Sequence, residues 1–450
     1  MNCLFRRQGN LLVQSAFAMV LCSGLTLTPA VWSQAHPMAP GAVPYYTAAP
    51  GYLPVNYAPP HGYPCPAELA PSPDGQYNVP LTPAPIDGDE TDSAETGDEA
   101  IPGEALPEVA NIAGDIGYAS APQSAVPNAI GDSFGPCGEL FVSSAFPNTY
   151  GIAICPAGGR GFKATHNNSP APQSRFFYNY YYFNNAVPAD LNGTLRRYDV
   201  QRHELGYEYA FYCDLMSVQL NVPLTNTIDS TIVQDNFDNL PREHELGNVS
   251  LAFKAIVYQD CYRTLSVGVG VDAPTADDVI IRDPDTQFFL NNETIVMSPF
   301  VGWIQELSPY VFAQGFVQVG MPMNDASVRV DFLQDNDQQF LEIRELRQLY
   351  IDVSLGAWLY RDECTGNGIA MLGELHYTTA LSNPESINVL GPNAQQVTFN
   401  YPRRDILNGT VGVTTFYNAW QSTLAYVAPI TDEEDRLFEG ELMLQVNRRF

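Results

Sequence analysis

Lysine is almost missing from this chain. Among 450 residues it occurs only at Lys163 and Lys254, and Lys plus Arg number 21 against 50 Asp plus Glu. The formal charge of −29 excludes a non-specific nucleic-acid binder, which needs a basic face to neutralise phosphates. Scarce lysine also excludes a long coiled coil, which is built from Ala, Glu, Lys and Leu. Charged residues of all kinds make up 16%, below the ~25% of an average soluble domain. After residue 35 no apolar run approaches the roughly 20 residues of a membrane-crossing helix, which excludes a polytopic helical membrane protein. No two cysteines have the close C-x-x-C spacing of a zinc or redox site.

The first 35 residues read as a secretory signal. Arg6 and Arg7 form the positive region and Leu11 to Leu27 the apolar one. Ser33-Gln34-Ala35 fits the small-x-small cleavage rule, with His36 as the mature start. The cleavage site argues against a retained membrane anchor, and Val20-Leu21 is a poor lipidation box for Cys22. Six cysteines remain after cleavage: Cys65, Cys137, Cys155, Cys213, Cys261 and Cys364. In an exported chain they are expected as disulfides.

Residues 36–130 read as a low-complexity arm. Its first part is rich in Pro and Tyr, as in Pro59-Pro60-His61-Gly62-Tyr63-Pro64. Such composition buries no core and favours extended polyproline II. The acidic run from Asp87 to Glu108 resembles a calcium loop only loosely, because Asp92 stands where the turn glycine belongs. A solvated linker is the expected role.

Residues 131–450 have a different texture. Apolar residues alternate with small or polar ones over long segments, as in Leu265-Ser266-Val267-Gly268-Val269-Gly270-Val271. Period 2 predicts strands with two unlike faces. Tight turns alternate with long polar connections, expected at 186–195, 224–246, 274–293, 323–345, 382–403 and 429–437. That rhythm, strands longer than the typical ~5–6 residues and aromatics near strand ends predict an all-β fold. The fold class is an antiparallel transmembrane β-barrel of about 12 strands, preceded by a disordered N-terminal arm. The even count puts both chain ends on the periplasmic side. A further hairpin within 138–156 would change the count by two. The C-terminal Leu442-x-Leu444-x-Val446-x-Arg448-x-Phe450 has the form of an assembly signal. Such a signal presents an ordered edge to the barrel-insertion machinery, because an open edge in lipid leaves backbone groups unpaired.

The run Phe162-Lys163-Ala164-Thr165-His166-Asn167-Asn168-Ser169-Pro170-Ala171-Pro172-Gln173-Ser174-Arg175 and the aromatic strand after it resemble the opening of a barrel family of planctomycete outer-membrane proteins. Also similar are Arg202-His203-Glu204-Leu205-Gly206-Tyr207-Glu208, the strand from Gly247-Asn248 to Lys254, Glu374-Leu375-His376-Tyr377-Thr378-Thr379-Ala380, and the ending Asn447-Arg448-Arg449-Phe450. The resemblance covers about residues 130–450. It implies the barrel fold and outer-membrane location and carries no reaction.

If the apolar positions face lipid, the alternate ones face the lumen. This places Glu204, Glu208, Ser217, Gln219, Asn221, Lys254, Asp352, Glu374, His376, Glu441, Gln445 and Arg449 inward. They would line a pore or small polar site, or fill the barrel with ion pairs. Glu374 and His376 share a face, and the expected relationship is a hydrogen-bonded pair rather than a metal site. Gly131-Asp132-Ser133 resembles an esterase nucleophile block, but no companion Asp-x-x-His accompanies it. No catalytic residue, metal or cofactor is assigned. The expected disulfides are Cys137–Cys155, closing a loop under the barrel, and Cys213–Cys261, stapling two turns. The expected partners are outer-membrane lipid, the insertion machinery and, through the arm, the cell wall; nucleic acid is excluded. The expected function is a passive pore for small polar or cationic solutes. The alternative is a sealed structural or anchoring envelope protein.

Overall fold

The computed structural model describes residues 126–450, except 133, 136, 144–149, 156–160, 192, 234–239, 335–336, 363–364, 392–394 and 433–434. The signal segment, the arm up to 125, Ser133 and Cys364 therefore lie outside the described residues.

In chain order the strands are β1 (Gly138–Ser143), β2 (Tyr150–Ile154), β3 (Arg175–Leu191), β4 (Thr194–Phe211), β5 (Met216–Ile228), β6 (Thr231–Val233), β7 (Arg242–Leu246), β8 (Val249–Gln259), β9 (Arg263–Ala273), β10 (Val279–Arg282) and β11 (Thr286–Leu290). They continue with β12 (Val296–Glu306), β13 (Val311–Pro322), β14 (Ala326–Phe332), β15 (Asp337–Ile343), β16 (Gln348–Arg361), β17 (Gly368–Ala380), β18 (Ser386–Leu390), β19 (Gln396–Asn400), β20 (Asp405–Tyr417), β21 (Trp420–Pro429) and β22 (Gly440–Arg449).

Twelve of them form the barrel wall. β3, β4, β5, β8, β9, β12, β13, β16, β17, β20, β21 and β22 pair antiparallel in that order. The ring closes where β22 returns to β3, from Gly440↔Asn184 to Arg449↔Arg175. Closure removes the edges that hydrocarbon could not satisfy. Wall strands run from 10 to 18 residues, enough for the ~9–11 of a tilted crossing. Their outward positions, such as Leu251, Val317, Val353 and Val413, are exposed and apolar. This is the exterior of a transmembrane barrel.

The connections at the two ends differ. At one end they are tight. Tyr212, Cys213 and Asp214 turn from β4 to β5 with φ of 54, 57 and 60°. At the other end the expected polar loops are folded. β15-β14-β11-β10-β6 make a five-stranded sheet, and β18 pairs with β19. Polar composition hid these strands because only one face of each is covered. Phe288, Val328, Val330 and Phe332 are buried under the sheet. In this cap Tyr150 donates to Asp283 Oδ2 at 3.0 Å. Burial, and then the Asp283 charge, push its phenol well above the usual range.

The expected loop at 186–195 is also largely strand. β3 and β4 pair on past a bulge, from Val187↔Tyr198 to Leu191↔Thr194, because β2 pairs with this stretch of β3. The hairpin within 138–156 exists as β1–β2. It adds nothing to the wall and pairs with β19 and β3 in the cap.

Candidate functional site

The chain itself enters the lumen. Residues 126–132 and 134–135 rise through it from the tight-turn end, β1 and β2 lie in the cap, and 161–174 descend to β3. Wall contacts track the path. Gln314, near the tight-turn end of β13, donates to Pro127 O at 3.0 Å. Phe134 packs on Phe183 and Phe438 at the cap end. On the return, Phe162 N donates to Asp272 Oδ1 at 2.8 Å, near the cap end of β9. The two passes touch each other. Ala129 N donates to Asn168 O at 2.8 Å, and Gly131, at φ +83°, would put a Cβ 2.9 Å from His166 Cα. Only glycine fits a left-handed backbone at so close an approach.

Two charge clusters hold the insert. In the lower one, Glu208 Oε2 accepts from Arg175 Nε at 2.8 Å and its Oε1 lies 3.0 Å from Lys254 Nζ. Arg175 also donates to Asn167 O and Asn447 Oδ1, both at 2.7 Å. Lys254 donates to Ser169 O at 2.5 Å and Asn168 Oδ1 at 3.0 Å. All three charged side chains are buried.

In the upper cluster the Lys163 ammonium lies between Asp132 and Asp352, 3.0 Å from Asp352 Oδ1. Asp352 also accepts from Thr165 and pairs with His376 Nδ1 at 2.8 Å. Asn408 donates to Asp132 Oδ2 at 2.7 Å. Glu374 accepts the backbone N–H of Ile130 at 2.9 Å and of Gly131 at 2.8 Å, while Gln445 donates to Ile130 O at 2.8 Å. Asp132, Asp352 and His376 offer ligand atoms within 4.8 Å of one another. The Lys163 ammonium already supplies the positive charge at this place. Each buried carboxylate is met by a cation or by hydrogen-bond donors, which makes its burial tolerable.

The structure places the residues expected to face inward as follows. Glu204, Glu208, Ser217, Gln219, Asn221, Lys254, Asp352, Glu374, His376, Glu441 and Gln445 are all buried. Arg449 is half-buried at the tight-turn rim and donates to Gln421 Oε1 at 2.9 Å. Several of them, Glu208, Lys254, Asp352, Glu374 and Gln445 among them, bind the insert directly. Glu374 and His376 approach to 3.4 Å. Leu442, Leu444 and Val446 face outward on the closing strand. Phe450 caps it, its ring 5.3 Å from Phe176 and 6.0 Å from Tyr207.

Sequence reasoning did not anticipate Asp132, Lys163, His166 or Arg202 as lumen groups. The available signal was the polar, non-alternating run 161–174 immediately before the first wall strand. It carries one of the chain's two lysines. Gly131 and Asp132 of the esterase-like block serve as packing and ion-pair groups; Ser133 lies outside the described residues.

Cys137 and Cys155 are disulfide-bonded, with Cα atoms 4.7 Å apart. The bridge lies with β1 and β2 in the cap, not under the barrel as expected, because the segment has already crossed the lumen before Cys137. The expected Cys213–Cys261 staple is corrected: Cys213 is a free, exposed thiol, whereas Cys261 is disulfide-bonded.

No family model and no curated protein sequence matches the chain. Solved structures of similar shape include an outer membrane channel from Pseudomonas putida F1, at 14% identity and TM-score 0.39, covering 62% of this chain and 96% of that one. The beta domain of a Bordetella autotransporter matches at 10% identity and TM-score 0.38, covering 62% and 100%. The translocator domain of an autotransporter from Neisseria meningitidis matches at 8% identity and TM-score 0.35, covering 71% and 90%. What makes this chain a barrel is its own closed pairing from β22 back to β3.

Proposed function

We propose that this protein is an exported outer-membrane barrel that closes its own lumen and serves the envelope as a sealed structural or anchoring element. The observation that carries this reading is the double passage of residues 126–135 and 161–174. The passage is bound by wall side chains on β8, β9, β13, β16, β17, β20 and β22 as well as β3 and β4. A twelve-stranded barrel is wider than the eight-stranded kind that side chains alone can fill, and the inserted backbone supplies the missing volume. The planctomycete likeness of 162–175 and 202–208 fits the same reading, because those residues form the insert and its binding surface.

Planar-bilayer recording of the full mature chain tests it. Electrical silence is expected. Stable steps with cation preference would instead favour a passive pore for small polar or cationic solutes, past or through the insert. Co-sedimentation of the full chain with isolated cell-wall sacculi tests the anchoring part. Recovery only in the soluble fraction would remove it.

A further inference from the structure

The outer wall is apolar around most of its circumference, with Leu220, Leu251, Val267, Val317, Val353 and Val413 all exposed. The face made by β3 and β4 breaks this pattern. Tyr178, Tyr180 and Tyr182 point outward on β3, and His203 does so on β4. Tyr178 Oη lies 2.8 Å from His203 Nδ1, and Tyr182 donates to Asp199 Oδ2 at 2.8 Å. Tyr180 Oη and His203 Nε2 have no hydrogen-bond partner among the described residues. The two are cross-strand partners, and their row continues into Leu444 on one side and Leu224 on the other. They thus sit at an apolar level, two rungs above the Phe176–Phe450 aromatic rim. Polar groups left unsatisfied against hydrocarbon are costly, and in membrane proteins they mark contacts.

We propose that the β3–β4 face is a two-fold interface with a second copy of this chain. Copies inserted by one route share an orientation, so a two-fold axis relating them runs along the membrane normal. Such an axis in front of two neighbouring strands sets β3 of one copy opposite β4 of the other. Because Tyr180 and His203 lie on one rung, each Tyr180 hydroxyl then meets the partner's imidazole, and the contact is made twice. This reciprocity is what an isologous interface requires. It also survives either histidine tautomer, since a tyrosine hydroxyl both donates and accepts. The β3–β4 hairpin extends beyond the wall to Leu191↔Thr194, which lengthens the same face toward the cap. The inference is independent of whether the lumen is open or closed.

The test uses the full mature chain in its native membrane, with Cys213→Ser to remove the exposed thiol. Leu205→Cys, one rung below His203, is treated with a short bismaleimide. Val353→Cys, on the far side of the barrel, is the comparison. The expected result is a cross-linked homodimer from the Leu205 position and not from the Val353 position. In detergent, the Tyr180→Phe/His203→Leu variant is expected to raise the dimer dissociation constant about tenfold or more, two membrane hydrogen bonds having been removed. Its resistance to unheated dodecyl sulfate shows that the barrel is intact. Monomer only, equal cross-linking from both positions, or an unchanged constant in a folded double variant would overturn the interface. Cross-linking to a different polypeptide would overturn the second copy as its occupant.

Discussion

Lys163 Nζ and Asp352 Oδ1 lie 3.0 Å apart, with the lysine side chain 10% exposed and the aspartate side chain not at all. One partner belongs to the descending insert and the other to the wall strand β16, so the pair ties plug to barrel. Asp132, from the ascending pass, shares the same ammonium.

Replacing that ammonium strands two buried carboxylates. Lys163→Met is therefore expected to lower stability by roughly 3–5 kcal/mol, the cost of breaking a buried pair. The measure is the denaturant midpoint of the refolded barrel in detergent. Adding Asp132→Asn and Asp352→Asn removes the two stranded charges and is expected to recover most of the loss. An unchanged midpoint in the single variant would show that the cluster does not hold the insert.

Both lysines of the chain lie in the lumen, Lys163 at 8% and Lys254 at 3% exposure. An amine-reactive ester on the folded protein is expected to modify the chain N-terminus and neither lysine. Heating in dodecyl sulfate should expose both. Rapid labelling of either in the folded protein would mean that the lumen admits small reagents.

Glu374 is the acceptor for two adjacent backbone donors, Ile130 N and Gly131 N. Glu374→Leu should cost about 1–3 kcal/mol for each stranded donor, whereas Glu374→Gln keeps a carbonyl acceptor and should cost less. Equal losses in the two variants would indicate that steric fit, not hydrogen bonding, decides this position.

The cap hairpin is closed by a bridge spanning 18 residues. Cys137→Ser/Cys155→Ser is expected to destabilise by about 3 kcal/mol, as for a loop of roughly 15 residues. Limited proteolysis in the cap should accelerate while the wall strands stay protected. Without reductant, maleimide should modify Cys213 in the folded protein and leave Cys137 and Cys155 untouched; peptide mapping distinguishes the three.

Much of the wall is legible in the sequence. The alternating run from Leu265 to Val271 lies inside β9 (Arg263–Ala273), because period 2 is imposed locally by having lipid on one side and a polar interior on the other. The same parity turned Glu208, Lys254 and Glu374 inward. It did not tell what they face. The cap strands are not legible in the sequence, because alternation over three to seven residues, with polar outer faces, is too short a signal. Neighbouring turns suggest a Cys213–Cys261 pairing, but adjacency in sequence order does not fix distances between thiols, and Cys213 is free.

The sequence by itself determined the twelve-stranded wall, its inside and its outside, since each strand's pattern answers to the solvent beside it. Only the tertiary structure decided that the chain enters the lumen before β1 and returns through it along 161–174. That choice depends on partners such as Asp132 and Asn408, separated by 276 positions, and a polar run records only that it needs hydrogen bonds, not which side chains will supply them.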